Sequence, residues 1–273
     1  MPAVPSGGVA VTVVAVLSGS MIPRCPGSVQ AKHPWGGTGA PVVMGSVPVS
    51  GIDEIEEWTR AQRRVIDLVR DLPPERSELT VPSCPDWTVR DLLSHMVGLG
   101  ADVVRGDEPD DHNEEWTDRQ VRARRDHDVA ALVAEWESLT GPLRDWMAAH
   151  NTRPLGDVII HEQDLRGALR EPGGQHTPGL YAVMDTFLGR FAGAVGDRAP
   201  IALVGDGRRW VSAGDEAGAA VVVRAPDFEL ARALVTRRSA AQLRAWTERG
   251  DVEPYLDAFA LLGPLPDTDL TES

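Results

Sequence analysis

The spacing of hydrophobic residues changes once along this sequence, near Pro200. From Ile52 to Val195, apolar residues recur every three or four positions in runs that proline and glycine interrupt. This is the period of amphipathic helices. Beyond Pro200, short apolar runs are separated by turn residues such as Gly205-Asp-Gly, a pattern typical of strands. The sequence therefore predicts an α+β protein in which an up-and-down helical bundle precedes a small α+β domain.

This change and a shift in composition predict the domain boundaries. Residues 51–196 are expected to form the bundle, and residues 197–273 the smaller domain. Residues 1–50 contain no Asp or Glu and no sustained period, which predicts a disordered leader or an over-extended start with Met44 as the true initiator. The apolar run 9–17 resembles a signal-peptide core, but no basic residue precedes it and no small-residue cleavage site follows it.

The charge balance excludes some classes of partner. The chain has 273 residues, with 41 acidic and 27 basic ones, and a formal net charge of −14. Nucleic-acid binding requires a basic surface, so we expect no such partner. The run 9–17 is too short to span a bilayer, so we expect no membrane partner either, and a cytoplasmic location. The sequence does not indicate the oligomeric state.

Two histidines stand out by their positions on predicted helices. His95 lies in the apolar stripe of a helix that begins at Thr88, where Thr88 and Asp91 form a capping box. His161 follows Asp157 by four residues, so these two side chains share a helix face. If the helices face each other, two imidazoles and a carboxylate meet, a common ligand set for Zn²⁺, Fe²⁺ or Ni²⁺. Asp164, one turn beyond His161, would support the site by contacting His161 rather than the metal.

A structural role for the same residues is the alternative interpretation. A lone histidine on an apolar stripe is usually a core residue with one hydrogen bond, and the pair Asp157 and His161 has a spacing that occurs by chance in many helices. The spacing alone therefore leaves both a metal site and a metal-free core open.

Three segments resemble one known family. The segment Val81-Pro-Ser-Cys-Pro-Asp-Trp-Thr-Val-Arg-Asp-Leu-Leu-Ser-His95 is similar to the first motif of the mycothiol-dependent maleylpyruvate isomerase family, and Leu155-Gly-Asp-Val-Ile-Ile-His-Glu-Gln-Asp-Leu-Arg166 is similar to the second. The run from Arg237 to Leu256 looks like the C-terminal domain of the family. The resemblance covers about residues 52–265.

This resemblance implies a fold, a metal and a thiol co-substrate. It implies a DinB-like bundle with a divalent metal, usually zinc, bound by His95, Asp157 and His161. The family favours Glu where Asp157 stands, and the shorter side chain places the carboxylate one methylene further back. The family also implies mycothiol as co-substrate and a C-terminal arginine in the thiol chemistry, to which Arg237 or Arg238 corresponds.

The expected activity is a metal- and thiol-dependent isomerase or S-transferase. A thiolate that adds to a cis alkene and is then eliminated isomerises the alkene, whereas addition alone gives a thiol conjugate. The electrophile is not indicated by the sequence. The alternative hypothesis is a non-catalytic carrier of a small apolar ligand with structural histidines, since the C-terminal part loosely resembles sterol-carrier folds.

Overall fold

The computed structural model describes residues 51–109 and 112–272. The leader predicted for residues 1–50, with its alternative start at Met44, lies outside the described residues. The described helices are α1 (Glu54–Val69), α2 (Pro74–Ser77), α3 (Val89–Arg105), α4 (Glu114–Ala123), α5 (Val129–Ala149), α6 (Pro154–Leu169), α7 (Pro178–Val195), α8 (Asp227–Leu234) and α9 (Ala240–Ala245). The described strands are β1 (Thr80–Val81), β2 (Cys84–Thr88), β3 (Ile201–Val204), β4 (Arg209–Val211), β5 (Val221–Arg224) and β6 (Thr247–Arg249).

The predicted long helices of the first part are confirmed. Helix α3 begins after Thr88, whose hydroxyl accepts from the Asp91 amide while the Asp91 carboxylate accepts from the Thr88 amide, so the capping box is present. Helix α7 follows Thr177 as N-cap and has proline in its first turn. These two helices therefore begin where a local signal in the sequence places them.

Helix α6 is the central element for the site. It packs against α1, α3 and α7, and its residues are buried on nearly every side from Pro154 to Leu165. A helix that is enclosed all round must satisfy every polar side chain with protein partners. Its charged residues consequently bind side chains of neighbouring elements rather than water.

Several elements of the first part are absent from the sequence prediction, among them the short helix α2. Strands β1 and β2 form a short antiparallel hairpin between α2 and α3, with Thr80 opposite Thr88. The acidic, proline-containing sequence of residues 106–115 predicts a loop, but α4 begins within this segment, and Asn113 caps the helix by accepting from the Trp116 amide. The acidic first turn of α4 has few apolar residues, so hydrophobic periodicity does not reveal this helix.

The second part contains a four-stranded mixed sheet in the order β4-β3-β5-β6. Strands β3 and β5 are parallel, whereas β4 and β6 pair antiparallel at the two edges. Residues of β3 alternate between two apolar clusters, with Leu203 in the main core and Val204 in a smaller cluster on the opposite face. The α+β class is confirmed, and the likeness to a sterol carrier stays a prediction.

The end of the second part differs from the predicted helices. The sequence pattern predicts short helices over residues 240–248 and 254–262. The first ends at Ala245 and is followed by β6. A 3₁₀ helix over Glu253–Phe259 takes the place of the second. Pairing of β6 with β5 completes the sheet and overrides the local helical pattern.

One continuous hydrophobic cluster joins the bundle and the sheet. The ring of Phe191 on α7 lies 5.4 Å from that of Trp210 on β4 and 4.5 Å from that of Phe259. All three rings are buried. Residues on both sides of the boundary predicted at 196 and 197 therefore share one hydrophobic cluster, and the division into two domains stays a prediction. Among the described helices, none has the length and apolar character needed to cross a bilayer.

Candidate metal centre

Helices α3 and α6 bring the three predicted ligands together. His95 is buried on α3 beside the core residues Leu92 and Met96. Asp157 and His161 lie one turn apart on α6, and α3 packs directly against α6. The facing arrangement expected from the sequence is therefore present.

The ligand atoms are closely spaced. Asp157 Oδ1 lies 3.4 Å from His95 Nε2 and 3.5 Å from His161 Nε2. One ligand atom from each of the three side chains lies within 4.8 Å of the other two. The two imidazole rings meet edge to face, with centroids 5.2 Å apart.

These separations fit a divalent ion. Ligands at about 2.0–2.1 Å from a tetrahedral Zn²⁺ stand about 3.3–3.4 Å apart. Two imidazoles and a carboxylate are a donor set that such ions accept, and three protein ligands leave a position for another molecule. The side chains of His95, His161 and Asp157 are 7%, 10% and 15% exposed, so the site is largely buried and Asp157 is its most exposed candidate ligand.

Hydrogen bonds fix both histidines in the tautomer that a metal requires. His161 Nδ1 lies 2.9 Å from Asp164 Oδ2, and an ionised carboxylate can only accept, so Nδ1 carries the proton. His95 Nδ1 lies 2.7 Å from Gln120 Oε1. Gln120 Nε2 donates to Asp102 Oδ2 at 2.9 Å, which assigns its oxygen to His95. Both Nε2 atoms therefore present a lone pair to the site.

Gln120 and Asp102 are residues that the sequence analysis missed. Gln120 lies on α4, the helix that the hydrophobic pattern did not predict. Trp116 on the same helix donates its indole N–H to Asp102 Oδ2 at 2.8 Å. The i, i+4 spacing of Trp116 and Gln120 after the capping residue Asn113 is the signal that would have revealed a helix with one buried face here.

Gly98 permits this contact between α3 and α4. A Cβ on Gly98 would lie 2.5 Å from Gln120 Cβ, closer than packed carbon atoms approach. Only glycine therefore allows α4 to come near enough for Gln120 to reach His95, one turn away on α3.

Asp157 is an anion in this environment. Burial opposes its ionisation, but the positive charge that His161 and His95 carry when they are protonated outweighs burial and holds the pKa of the Asp157 carboxyl below its ordinary value. An ionised Asp157 supplies the negative charge that a divalent ion needs.

Asp164 is ionised for a different reason. Burial raises the pKa of the Asp164 carboxyl, but the guanidinium groups of Arg237 and Arg232 lower it by more than burial raises it. The pKa of this carboxyl therefore lies well below its ordinary range. The supporting role expected for Asp164 is compatible with this contact to His161.

The two candidate arginines have different surroundings. Arg237 donates to both oxygens of Asp164, with Nη2 3.0 Å from Oδ2. Arg238 donates to Glu229 and Glu272 instead. Both side chains are buried, with 1% and 0% exposed. Arg237 therefore shares a carboxylate with a proposed ligand, whereas Arg238 does not, and the catalytic role of either stays a prediction.

A second group of potential ligands shares His161. Cys84, His161 and Asp164 also bring their ligand atoms within 4.8 Å of one another, but Cys84 is disulfide-bonded and so offers no thiolate. Both oxygens of Asp164, moreover, accept from arginines, so a cation there would face two guanidinium charges. The group of His95, Asp157 and His161 is the better cation site.

Comparison with known proteins agrees with the resemblance of the motifs. Residues 58–166 match the family described as the mycothiol maleylpyruvate isomerase N-terminal domain. Neither a curated protein nor a solved structure matches the chain. The matched segment contains the three candidate ligands, Gln120 and Asp164. Residues 58–166 are therefore similar to a mycothiol maleylpyruvate isomerase N-terminal domain, the family that the two sequence motifs resemble.

Proposed function

We propose that this protein is a divalent-metal-dependent enzyme that uses mycothiol for cis-trans isomerisation or for S-transfer to a small electrophile. The observation that carries the proposal is the convergence of His95 Nε2, His161 Nε2 and Asp157 Oδ1 at separations of 3.4 and 3.5 Å. Zn²⁺ is the metal that the family favours.

The proposed division of roles follows from the hydrogen bonds. His95 and His161 hold the ion through Nε2 because Gln120 and Asp164 engage their Nδ1 atoms. Asp157 supplies a carboxylate oxygen and, as the most exposed of the three ligands, lies where a thiol and an electrophile would enter. When bound, the ion would lower the pKa of a thiol and favour its reactive thiolate.

In the proposed reaction, the thiolate forms the covalent bond to the electrophile. Its sulfur adds to one alkene carbon of the electrophile, and the alkene electron pair moves to an activating carbonyl. After rotation about the resulting single bond, the electron pair returns and expels the thiolate, which gives the trans alkene with no net consumption of thiol. Protonation of the adduct in place of expulsion gives the S-conjugate.

The carrier hypothesis has no support from the cavity beneath α6. This cavity lies between α6, α7 and α8 and has about 10 Å³ of accessible space, enough for about one water molecule. Its walls are Ile159, Ile160, Leu180, Val183, Met184, Ala231, Arg232 and Val235. An apolar ligand does not fit there without rearrangement of the core.

Metal analysis tests the first half of the proposal. Protein purified without chelator should contain close to one divalent ion per chain, and His161→Ala should lose most of it. His150→Ala is the matched control, because His150 stacks on Trp146 outside the ligand group. Equal metal content in wild type and His161→Ala would remove His161 from the site.

Cobalt substitution tests the thiol. A sulfur-to-cobalt charge-transfer band should appear when mycothiol is added to the Co²⁺ protein, and His95→Ala should abolish it. A Co²⁺ protein with no such band at saturating mycothiol would refute thiol coordination. Mass spectrometry after incubation with a cis alkene then separates isomerisation from conjugation.

A further inference from the structure

The part of the chain after the bundle contributes a buried arginine to the support of His161. Arg232 lies on α8, and its Nη2 donates to Asp164 Oδ1 at 2.5 Å. Its Nη1 donates to the backbone oxygen of Ile160, the residue before His161, at 3.3 Å. Arg232 therefore contacts α6 on both sides of the histidine.

Glu272 holds Arg232 from the other side. Arg232 Nε donates to Glu272 Oε1 at 2.6 Å, and Arg238 Nη2 donates to Glu272 Oε2 at 2.5 Å. The side chains of Arg232 and Glu272 are 1% and 5% exposed. The segment around Glu272 also packs on α6, because a Cβ on Gly167 would lie 3.3 Å from Glu272 Cγ.

We propose that Arg232 and Glu272 are positioning residues for His161. The chain of contacts runs from Glu272 through Arg232 and Asp164 to His161 Nδ1. The inference rests on the proposed metal site, and it assigns the orientation of one ligand to residues outside the family-matched segment 58–166.

The geometry of these contacts explains why they orient the imidazole of His161 and do not only stabilise the fold. Arg232 takes Asp164 Oδ1, which leaves Oδ2 directed at His161. A rotation of the Asp164 carboxylate would break bonds to Arg232 and Arg237 as well as the bond to His161. The imidazole plane, and with it the direction of Nε2, is therefore fixed by the arginines.

If Arg232 and Glu272 orient His161, replacing either residue should lower the metal affinity of the protein. Arg232→Met keeps the length of the side chain and removes its donors, and Glu272→Gln keeps the shape and removes the charge. We expect a 10- to 100-fold loss of Zn²⁺ or Co²⁺ affinity for Arg232→Met, the usual effect of removing a partner that orients a ligand, and a smaller loss for Glu272→Gln. The Co²⁺ absorption spectrum should shift in both.

Arg64→Met is the matched control. Arg64 makes an ion pair with the buried Glu162, the residue next to His161 on α6, through contacts of 2.6 and 2.9 Å. Its loss also breaks an ion pair on α6 but leaves Asp164 untouched. Metal affinity should remain within twofold of wild type. Equal affinities in Arg232→Met, Glu272→Gln and this control would overturn the proposal.

A measurement on metal-free protein separates this inference from the proposed function. Nitrogen-detected NMR of the histidine rings should show a slowly exchanging Nδ1–H on His161 in wild type and in Arg64→Met. In Arg232→Met and Glu272→Gln it should exchange faster. Wild type without metal affinity would refute the proposed function, and the NMR comparison would still decide the positioning role. Unchanged exchange in both variants would refute that role.

Co²⁺ binding also distinguishes between two roles for Arg237, positioning of Asp164 and contact with the thiol. If Arg237 positions Asp164, Arg237→Met should lower Co²⁺ affinity in the absence of any thiol. If it contacts the thiol, Co²⁺ binding should be unchanged and only the titration of mycothiol should weaken.

Discussion

His95 on α3 and His161 on α6 meet edge to face at an interplanar angle of 87°, although they are 66 positions apart in the chain. Their partners differ in charge. His161 faces the carboxylate of Asp164, whereas His95 faces the amide of Gln120. An imidazole that donates to a carboxylate is the more basic ligand, so the two sides of the site are electronically unequal.

The amide partner of His95 should matter for metal affinity. Gln120→Met retains the volume of the side chain and removes the acceptor for His95 Nδ1. We expect a 10- to 100-fold loss of Co²⁺ affinity, measured by competition with a chelator.

Gln62→Met is the control for that change. Gln62 is also buried, and it donates to the Trp136 carbonyl and accepts from Thr140 on α5. It makes no hydrogen bond to the ligands, so stability should fall while metal affinity is retained. Equal losses of affinity in both variants would show that Gln120 acts only through stability.

Gly98→Ala should separate α3 from α4. The new methyl group would lie 2.5 Å from Gln120 Cβ, and such overpacking costs about 1–3 kcal/mol. Urea unfolding should show this loss, and metal affinity should fall because Gln120 withdraws from His95.

Gly189→Ala provides the opposite expectation. Gly189 lies within α7, and a Cβ there meets no atom within 4 Å. Alanine in an open helix interior stabilises by about 0.5–1 kcal/mol. A similar loss of stability in both variants would contradict the close contact at Gly98.

Glu272 should contribute to stability in a pH-dependent way. Burial raises the pKa of its carboxyl, but Arg232 and Arg238 outweigh burial and hold it below the ordinary value. A lowered pKa in the folded state means that the stabilisation is complete above the unfolded pKa of about 4.3 and is lost as the pH falls through the folded value.

Glu272→Gln should therefore be less stable at pH 7, by about 3 kcal/mol as for a broken buried ion pair, and should show a shallower decline in acid. Denaturant unfolding between pH 3 and pH 7 measures both effects. A constant difference between variant and wild type across this range would contradict a lowered pKa of Glu272.

The shared core predicts cooperative unfolding of helices and sheet. Trp210 contacts Phe191 across the junction, and its truncation to alanine should cost about 3–5 kcal/mol. In wild type, far-ultraviolet circular dichroism and tryptophan fluorescence should follow one transition. Two separate transitions in wild type would show that the bundle and the second part unfold independently.

Most of the helices, and the candidate metal ligands, can be predicted from the sequence alone. Thr88 with Asp91, and Thr177 before Pro178, mark helix starts through hydrogen bonds within one turn, so neighbouring residues suffice to predict them. The spacing of Asp157 and His161 likewise places both on one face whatever the surroundings. These features depend only on residues that are neighbours in the sequence, so they can be predicted without knowledge of the fold.

The contacts that hold the candidate ligands in place, by contrast, can be seen only in the folded structure. Gln120 reaches His95 because α4 packs closely against Gly98, which has no side chain. Arg232 and Glu272 contact α6 or its partners although they lie far from it in the sequence. Strand β6 forms where a helix was predicted because β5 offers it backbone hydrogen bonds. Such contacts depend on which buried groups find partners once the chain is compact, and no spacing in the sequence encodes that choice.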